Sequence, residues 1–264
     1  MFLSHRTCLV TGGGAGIGLA LVRAFAAQGA RVHACDISAD NIAQAERTTS
    51  GRVVFDRLDV TDSGAVTDWI DGIGQVDVLV NNAAYIRWLD VTEMSVAEAE
   101  RTMRTGFESC LYTIKAALPH LGDGAHIVNI GSSAGRVLVP GPSAAYAAMK
   151  AAVEAYTVKL RHELAGSGTH VMLVRPGTVA GTQLFGRHVP SERLPRIADF
   201  LPPTSPERVA AAVLRGLERR RDTVDVPAYL PLLYRMYGLS PALFRWTATL
   251  GGSARRDYSV PKKG

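Results

Sequence analysis

Short apolar runs rich in valine and isoleucine alternate along this chain with longer segments of helical periodicity. The apolar runs, which we predict to be strands, are residues 7–11, 31–37, 53–60, 76–82, 126–132 and 170–176. The segments between them, which we predict to be helices, are residues 17–28, 39–49, 62–72, 93–121 (with a break) and 143–166. Apolar strands separated by helices are typical of a parallel sheet covered on both faces. We therefore predict an α/β fold, a doubly wound parallel sheet in three αβα layers.

This regular alternation ends after the sixth predicted strand. Residues 180–205 are rich in glycine and proline, and a loop of that length inside one domain is usually a functional lid. A helix is expected to restart near Pro206, with the preceding serine as its N-cap, and a strand should follow near 223–227. Residues 228–264 then form an apolar C-terminal extension. Since no repeat or linker divides the chain, we predict a single domain over residues 1–264.

The three cysteines, Cys8, Cys35 and Cys110, have neither disulfide nor metal-ligand spacing. A chain of 264 residues with 47% hydrophobic residues can form a buried core without disulfides or a structural metal ion. Together with the absence of a recognisable secretory signal, this predicts a cytoplasmic protein with no metal site.

Charge and hydropathy exclude two further classes of protein. The net charge of +5 comes from basic residues that are not interleaved with aromatic residues for base stacking, so we expect no nucleic-acid partner. The apolar stretch 226–250 is interrupted by prolines and arginines, so we expect no membrane-spanning segment.

A glycine-rich turn follows the first predicted strand. Residues 11–18 read TGGGAGIG and lead directly into the first predicted helix. Glycines let the backbone approach a pyrophosphate, and the helix N-terminus provides unpaired N–H groups and the positive end of a dipole. The turn therefore predicts a dinucleotide site of the Rossmann type, with contacts from Gly12, Gly14, Gly16, Ile17 and Gly18.

Asp36 stands at the end of the second predicted strand. A carboxylate at this position can accept hydrogen bonds from the adenosine ribose hydroxyls and would repel a 2′-phosphate. The glycine turn contains no basic residue that would reverse this preference. We therefore expect NAD rather than NADP as the cofactor.

Tyr146 and Lys150 are four residues apart near the start of a predicted helix, so they share one face of it. A tyrosine has a reference pKa of about 10, and a nearby ammonium together with an oxidised nicotinamide ring would lower it. This spacing occurs in many helices and is weak on its own. In this setting it predicts a tyrosine acid/base assisted by a lysine.

Taken together, these features resemble the short-chain dehydrogenase/reductase family in its single-domain branch. The matching motifs, in family order, are TGGGAGIG at 11–18, Asp36, Asp59-Val60, Asn81-Asn82-Ala83-Ala84, IVNIGSSAG at 127–135, YAAMK at 146–150 and Pro176-Gly177. The resemblance covers roughly residues 5–227. It implies an NAD(P)-dependent oxidoreductase that transfers a hydride reversibly between the cofactor and a secondary alcohol or ketone, with alcohol oxidation the expected direction for an NAD enzyme.

The resemblance also implies roles for individual residues. Tyr146 would be the general acid/base, and Lys150 would lower its pKa and hold the nicotinamide ribose. Asn81 would lie on the adenosine side of the site. The further cofactor contacts implied are Asp59, Val60, Asn82, Ala83, Pro176, Gly177 and Val179.

The family uses a serine to orient the reacting oxygen, and two serines compete for this role here. Counting along the strand selects Ser132, whereas the usual distance to Tyr146 selects Ser133. We favour Ser132, because the strand fixes its direction and the following loop can absorb one extra residue.

The sequence departs from the family pattern at two places. Gly106 stands where the family carries an asparagine that completes a proton relay, and a kink with water or Thr105 in that space would compensate. The run from Pro176 to Thr182 is one residue longer than usual, which leaves Thr182 an uncertain cofactor contact. Gly106 motivates a second reading, a catalytically weak or inactive NAD-binding sensor or scaffold.

Apolar side chains in the lid and the C-terminal extension would favour an apolar substrate of the steroid, terpenoid or acyl type. The residues in question are Leu184, Phe185, Val189, Leu194, Ile197, Phe200 and Leu201 of the lid and Tyr229, Leu230, Leu232, Leu233, Tyr234, Met236, Tyr237, Leu243, Phe244 and Trp246 of the extension. Packing of the extension on its own domain or on another subunit is an equal alternative, and attachment to a membrane interface is a third. Helices near residues 107–118 and 147–158 resemble those that form family homodimers and homotetramers, so an oligomer is expected.

Overall fold

The structure is a computed structural model that describes residues 2–139, 141–182, 189–190, 193–194 and 197–249. It contains a seven-stranded parallel sheet with the strand order β3-β2-β1-β4-β5-β6-β7. The strands are β1 Thr7–Thr11, β2 Arg31–Asp36, β3 Val53–Arg57, β4 Val76–Asn81, β5 Leu121–Ile130, β6 His170–Pro176 and β7 Thr223–Val226. The predicted α/β fold class is confirmed. The strand order reverses between β1 and β4, and doubly wound sheets bind ligands beyond the carboxyl ends of the strands at such a point.

Helices cover both faces of this sheet. They are α1 Gly16–Ala27, α2 Ala39–Thr48, α3 Ser63–Ile73, α4 Val96–Met103, α5 Ser109–Ala117, α6 Ala144–Glu163, α7 Ile197–Phe200, α8 Pro206–Glu218, α9 Leu230–Leu239 and α10 Pro241–Thr249. A π-helical segment, Arg104–Glu108, joins α4 to α5, and short 3₁₀ turns occupy Leu118–His120 and Ser133–Gly135. Ser205 caps α8 as expected, since its Oγ accepts a hydrogen bond from the N–H of Arg208 at 3.3 Å. Within the described ranges, every helix is too short or too polar to span a membrane.

Alternate residues of the strands supply the two halves of the core. In β4, Val78 and Val80 pack in a cluster with helices α1 and α8, whereas Leu79 packs in a second cluster with α3, α5 and α6. This alternation follows from the two-residue period of a strand. Burying each such side chain contributes roughly 1.5–3 kcal/mol, so both faces of the sheet hold their helices.

Several element boundaries differ from the prediction, and the main differences are the following. The strand predicted over 53–60 ends at Arg57. The helix predicted over 93–121 starts at Val96, and Leu121 already belongs to β5, which we expected to begin at 126. The early part of β5 contains two glycines and pairs with β4 across a register shift, so it lacks the apolar pattern of a regular buried strand. The C-terminal extension, expected only as an apolar tail, forms α9 and α10.

Candidate active site

In the glycine turn, the backbone at the start of α1 lies close to the backbone that follows the carboxyl end of β1. Gly12 and Gly16 have φ values of +63° and +53°, in the left-handed region that favours glycine. A Cβ atom on Gly18 would lie 2.0 Å from the carbonyl oxygen of Gly12, so no side chain fits there. A Cβ atom on Gly14 would lie 2.9 Å from Oδ2 of Asp36. The turn can hold a group at the N-terminus of α1 only because these side chains are absent.

Asp36 is buried at the end of β2 and is held from two sides. Its Oδ2 accepts a hydrogen bond from the N–H of Gly14 at 3.1 Å, and its Oδ1 accepts one from the N–H of Ser38 at 3.0 Å. Ser38 in turn caps α2 by accepting from the N–H of Asn41 at 3.2 Å. The carboxylate is therefore fixed beside the glycine turn, where a ribose hydroxyl would meet it.

Asn82 ties β4 to β1 across the point where the strand order reverses. Its Nδ2 donates to the carbonyls of Thr11 and Gly12 at 3.0 and 3.1 Å. The Thr11 hydroxyl accepts from the backbone N–H groups of Asn82 and Ala83 at 3.0 and 3.1 Å. Asn81, by contrast, is buried and bonded to Asn129, so its side chain is not among those that line the cleft.

A cleft of about 710 Å³ lies along the carboxyl ends of the strands. The predicted residues that line it are Gly12, Gly16, Ile17, Asp36, Asp59, Val60, Asn82, Ala83, Tyr146, Lys150, Pro176, Gly177 and Val179. Thr182, the uncertain contact, also lines it, whereas Gly14 and Gly18 shape the turn without lining the cleft. Sequence reasoning missed Tyr85, Arg101 and Arg104, which lie on the same cleft but belong to none of the motifs.

Tyr146, Lys150 and Ser132 meet where β5 faces the first turns of α6. The buried Lys150 Nζ donates to the carbonyl oxygen of Ile130 at 2.7 Å and lies 5.8 Å from the centroid of the Tyr146 ring. Ser132 Oγ accepts from the N–H of Ala134 at 3.1 Å. Ser132 and Tyr146 line the cleft together with Lys150. The three predicted catalytic residues are thus brought together.

Burial and hydrogen bonding shift the pKa of Tyr146 in opposite directions. Burial raises the pKa of Tyr146, and the hydrogen bond with Ser132 lowers it. Burial lowers the pKa of Lys150 to about 8, which the thiol of Cys110 partly opposes. The group that lowers the pKa of Tyr146 here is Ser132, and the expected contribution of Lys150 stays a prediction.

Ser133 has a different environment from Ser132. Its carbonyl accepts from the N–H groups of Arg136 and Val137 at 3.1 and 2.9 Å. Ser133 lines a second cavity but not the cleft, whereas Ser132 and Tyr146 line both. The structure thus gives the two serines different surroundings, and the choice of Ser132 stays a prediction.

This second cavity has a volume of about 600 Å³ and mostly apolar walls. Its walls include Ile86, Trp88, Val189, Leu194, Leu201, Tyr229, Leu230, Leu233, Tyr234 and Phe244. Five of the side chains expected in these walls are exposed instead, namely Phe200, Leu232, Met236, Leu243 and Trp246. Leu184 and Phe185 lie outside the described residues, and so does the side chain of Ile197.

Gly106 lies in the π-helical segment between α4 and α5. Regular α-helical hydrogen bonding is interrupted here, which is one recognised cause of a kink, and Thr105 lines the cleft. The expected kink itself stays a prediction. The space next to Gly106 contains Met149, whose Sδ would be 2.5 Å from a Cβ atom on this glycine. Sequence reasoning missed Met149, although it belongs to the YAAMK motif.

Comparisons with known proteins show which family this chain is similar to. The family model described as short chain dehydrogenase matches residues 6–193. The putative oxidoreductase SadH of Mycobacterium tuberculosis is 32% identical over 238 residues, which cover 84% of this chain and 86% of that protein. A short chain dehydrogenase from Burkholderia cenocepacia, solved in complex with NADP, has a TM-score of 0.74 and 28% identity, covering 85% of this chain and 97% of its own. A short chain dehydrogenase/reductase from Burkholderia phymatum, solved in complex with NAD, shares the fold with a TM-score of 0.79 at 22% identity, covering 93% of this chain and 97% of its own.

The chain belongs to the short-chain dehydrogenase/reductase family. It is accordingly an oxidoreductase of the class that acts on alcohol and ketone groups.

Proposed function

We propose that this protein is an NAD-dependent dehydrogenase that oxidises an apolar secondary alcohol to a ketone, reversibly. The observation that carries this proposal is that Tyr146 and Ser132 line both the cleft and the apolar cavity. An oxygen atom bound beside them would lie between a cofactor in one space and a substrate body in the other. Bound NAD would supply the hydride acceptor for this oxidation.

Asp36 supports NAD over NADP. Both of its oxygens already accept backbone hydrogen bonds, which hold the charge beside the glycine turn, and each retains lone pairs for a ribose hydroxyl. Ile37, Ser38 and Asn41 also line this end of the cleft, and none of them carries the positive charge that a 2′-phosphate would need.

The proton transfer falls to Tyr146. As the phenolate it would take the proton of the substrate hydroxyl, with the Ser132 hydroxyl holding the reacting oxygen. Lys150 is fixed by the carbonyl of Ile130, so its ammonium stays on the cleft side of α6, where it favours the phenolate and can hold a ribose hydroxyl. Apolar walls around the second cavity favour a substrate of steroid, terpenoid or long acyl character.

Gly106 supports a second candidate, a cofactor-binding protein with little or no catalysis. The space that a relay side chain would need is taken by the buried Met149. Such a protein would bind the dinucleotide through the same cleft and serve as a sensor or scaffold.

Cofactor titration and turnover assays separate these two candidates. The fluorescence of NADH and NADPH would be titrated, and a panel of secondary alcohols and ketones would be assayed with each cofactor. We expect at least tenfold tighter binding of NADH than NADPH, a preference lost in Asp36→Ala and kept in Asp40→Ala, whose carboxylate is exposed and does not line the cleft. Tyr146→Phe should abolish turnover while keeping cofactor binding. Tight binding without turnover across the panel would instead favour the second candidate.

We also propose a homodimer or homotetramer. Cys110 and Ile114 of α5 are buried inside the protomer, whereas Leu118 and Val158 are exposed and available to a partner. Light scattering of the purified protein tests this directly, because a monomeric mass would contradict it.

A further inference from the structure

The net positive charge of this chain lies in its C-terminal extension, residues 228–264. This extension contains six lysines and arginines and one acid, Asp257. Residues 1–227 contain 23 basic and 23 acidic residues and are therefore neutral overall. Such an asymmetry indicates an interaction with a negatively charged surface rather than a general solubility effect.

The outer faces of the two helices in this extension are apolar. Leu239 is 87% exposed and Trp246 is 59% exposed, and Leu232 and Leu243 are also more than half exposed. Phe200 of the neighbouring α7 is 75% exposed. Exposed large apolar side chains on neighbouring helices are typical of an interaction site.

Arg235 and Arg245 are the only charged residues between 228 and 249, and both are exposed. They stand next to Met236 and Trp246, so basic and apolar groups share the outer surface of α9 and α10. Basic side chains beside aliphatic and aromatic ones are typical of helices that lie in the interface of an anionic membrane.

The inner faces of the same helices close the substrate cavity. Leu230, Leu233 and Tyr234 of α9 and Phe244 of α10 line that cavity. The ring of Tyr234 also lies against the guanidinium of Arg175, 4.7 Å from its Cζ, which anchors α9 to the end of β6. One layer of helices therefore separates the outer apolar surface from the space in which an apolar substrate would bind.

We propose that α9 and α10 of the C-terminal extension bind the surface of an anionic lipid bilayer. The outer side chains of α7, α9 and α10 would enter the boundary between headgroups and acyl chains, and the basic residues would pair with lipid phosphates. The apolar substrate would then reach the cavity from the bilayer, a step that rests on the proposed function. Charge complementarity favours this occupant over a second copy of the chain, because two such extensions of equal positive charge would repel each other.

Vesicle sedimentation tests this proposal with the full chain, without cofactor or substrate. The probes are vesicles of phosphatidylcholine alone and of phosphatidylcholine with phosphatidylserine. We expect at least tenfold more binding to the anionic vesicles, reduced when salt is raised. The double variant Arg235→Gln/Arg245→Gln and the apolar variant Leu239→Gln/Leu243→Gln should each lower binding several-fold. Arg208→Gln/Arg219→Gln, which removes two exposed arginines from α8 and the residue that follows it, should not.

Two outcomes would overturn the proposal. One is equal or no binding to the two vesicle types. The other is a change of oligomeric mass in Leu239→Gln/Leu243→Gln without any vesicle binding by the wild type, which would assign the surface to a second copy. Failure here is distinguishable from failure of the proposed function, since sedimentation needs no turnover. An active dehydrogenase that does not bind vesicles would contradict only the membrane proposal.

Discussion

Gly106 and Met149 share one space, so a larger side chain at position 106 would require Met149 to shift. A Cβ atom on Gly106 would lie 2.5 Å from Sδ and 2.9 Å from Cγ of Met149. Met149 is fully buried in the core cluster that contains Cys110 and Ile114, so it cannot move away without displacing its neighbours. The methionine is part of the same motif as the proposed acid/base, Tyr146. The glycine at position 106 and the packing behind the helix that carries the proposed acid/base are therefore one feature.

Alanine at position 106 should destabilise the protein despite its higher helix propensity. Overpacking against Met149 is expected to cost about 1–3 kcal/mol, which exceeds the gain of about 1 kcal/mol from replacing a helical glycine. Gly72 provides the matched control, because it lies in α3 and has nothing within 4 Å of an added Cβ atom. In urea unfolding, Gly72→Ala should be neutral or stabilising. Equal effects of the two substitutions would contradict this account of the site.

Asparagine at position 106 tests catalytic function once a second substitution, Met149→Ala, makes space for its side chain. Gly106→Asn alone should lower both stability and kcat, because the side chain collides with Met149. Gly106→Asn/Met149→Ala should recover part of both, measured against Met149→Ala alone. A higher kcat in the double variant than in the wild type would mean that the natural site is impaired, whereas a lower one would mean that it works without this residue.

Features that depend on neighbours in sequence were predictable here. The glycine turn and the acid at the end of β2 follow directly from strand, turn and helix signals, and the structure places them on one cleft. The contact between Gly106 and Met149 was not predictable, because it joins two helices that periodicity treats separately. The outward side chains of α9 and α10 were also misassigned to the cavity. Both faces of these helices are apolar, so amphipathic pattern cannot show which face is inside.

Ser132→Ala should move the pH dependence of alcohol oxidation to higher pH. The hydrogen bond from Ser132 lowers the pKa of Tyr146, and burial raises it, so losing the bond leaves burial unopposed. The phenolate would then form only at higher pH. We expect kcat to fall by roughly 10²-fold or more at neutral pH, with part of the loss regained as pH rises.

Ser133→Ala is the control for this prediction. Ser133 lines the apolar cavity but not the cleft, so its loss should change KM for the substrate more than the pH profile. If Ser133→Ala moved the pH profile and Ser132→Ala did not, the serine assignment would be reversed.

Asp225→Ala should lower the free energy of unfolding and weaken the packing of the cavity wall. Arg175 Nε and Nη2 donate to the two oxygens of Asp225 at 2.7 and 2.9 Å, and both side chains are almost buried. Removing one partner of such a pair typically costs about 3–5 kcal/mol. Arg175 also pairs with Glu154 at 3.1 Å, so we expect a loss at or below the lower end of this range. Since the Arg175 guanidinium also lies against Tyr234 of α9, KM for an apolar substrate should rise more than KM for NAD.

Asp71→Ala provides the comparison for an exposed ion pair. Asp71 lies 2.7 Å from the ring of His120 and is 57% exposed, so its loss should cost less than about 1 kcal/mol. Comparable destabilisation by the two alanine variants would show that the Arg175 pair is not a buried anchor.

His126 should make the protein sensitive to acid between pH 6.5 and 4. Burial, together with the neighbouring His170, lowers the pKa of His126 from 6.5 to about 4, and the two Nδ1 atoms are 3.3 Å apart. Between these pH values the unfolded chain binds a proton that the folded chain does not. The associated stability is therefore fully present above pH 6.5 and is lost as pH falls towards 4.

Urea unfolding of the wild type and His126→Gln across this pH range measures the effect. Carboxylates also contribute to acid unfolding, so the useful quantity is the difference in unfolding free energy between the two proteins at each pH. Glutamine does not titrate, and this difference should therefore shrink or reverse in sign as pH falls from 7 to 4, by up to about 3 kcal/mol. His162→Gln, on the exposed face of α6, should show a constant difference from the wild type. If the difference in unfolding free energy were constant for His126→Gln as well, protonation of His126 would not destabilise the folded protein.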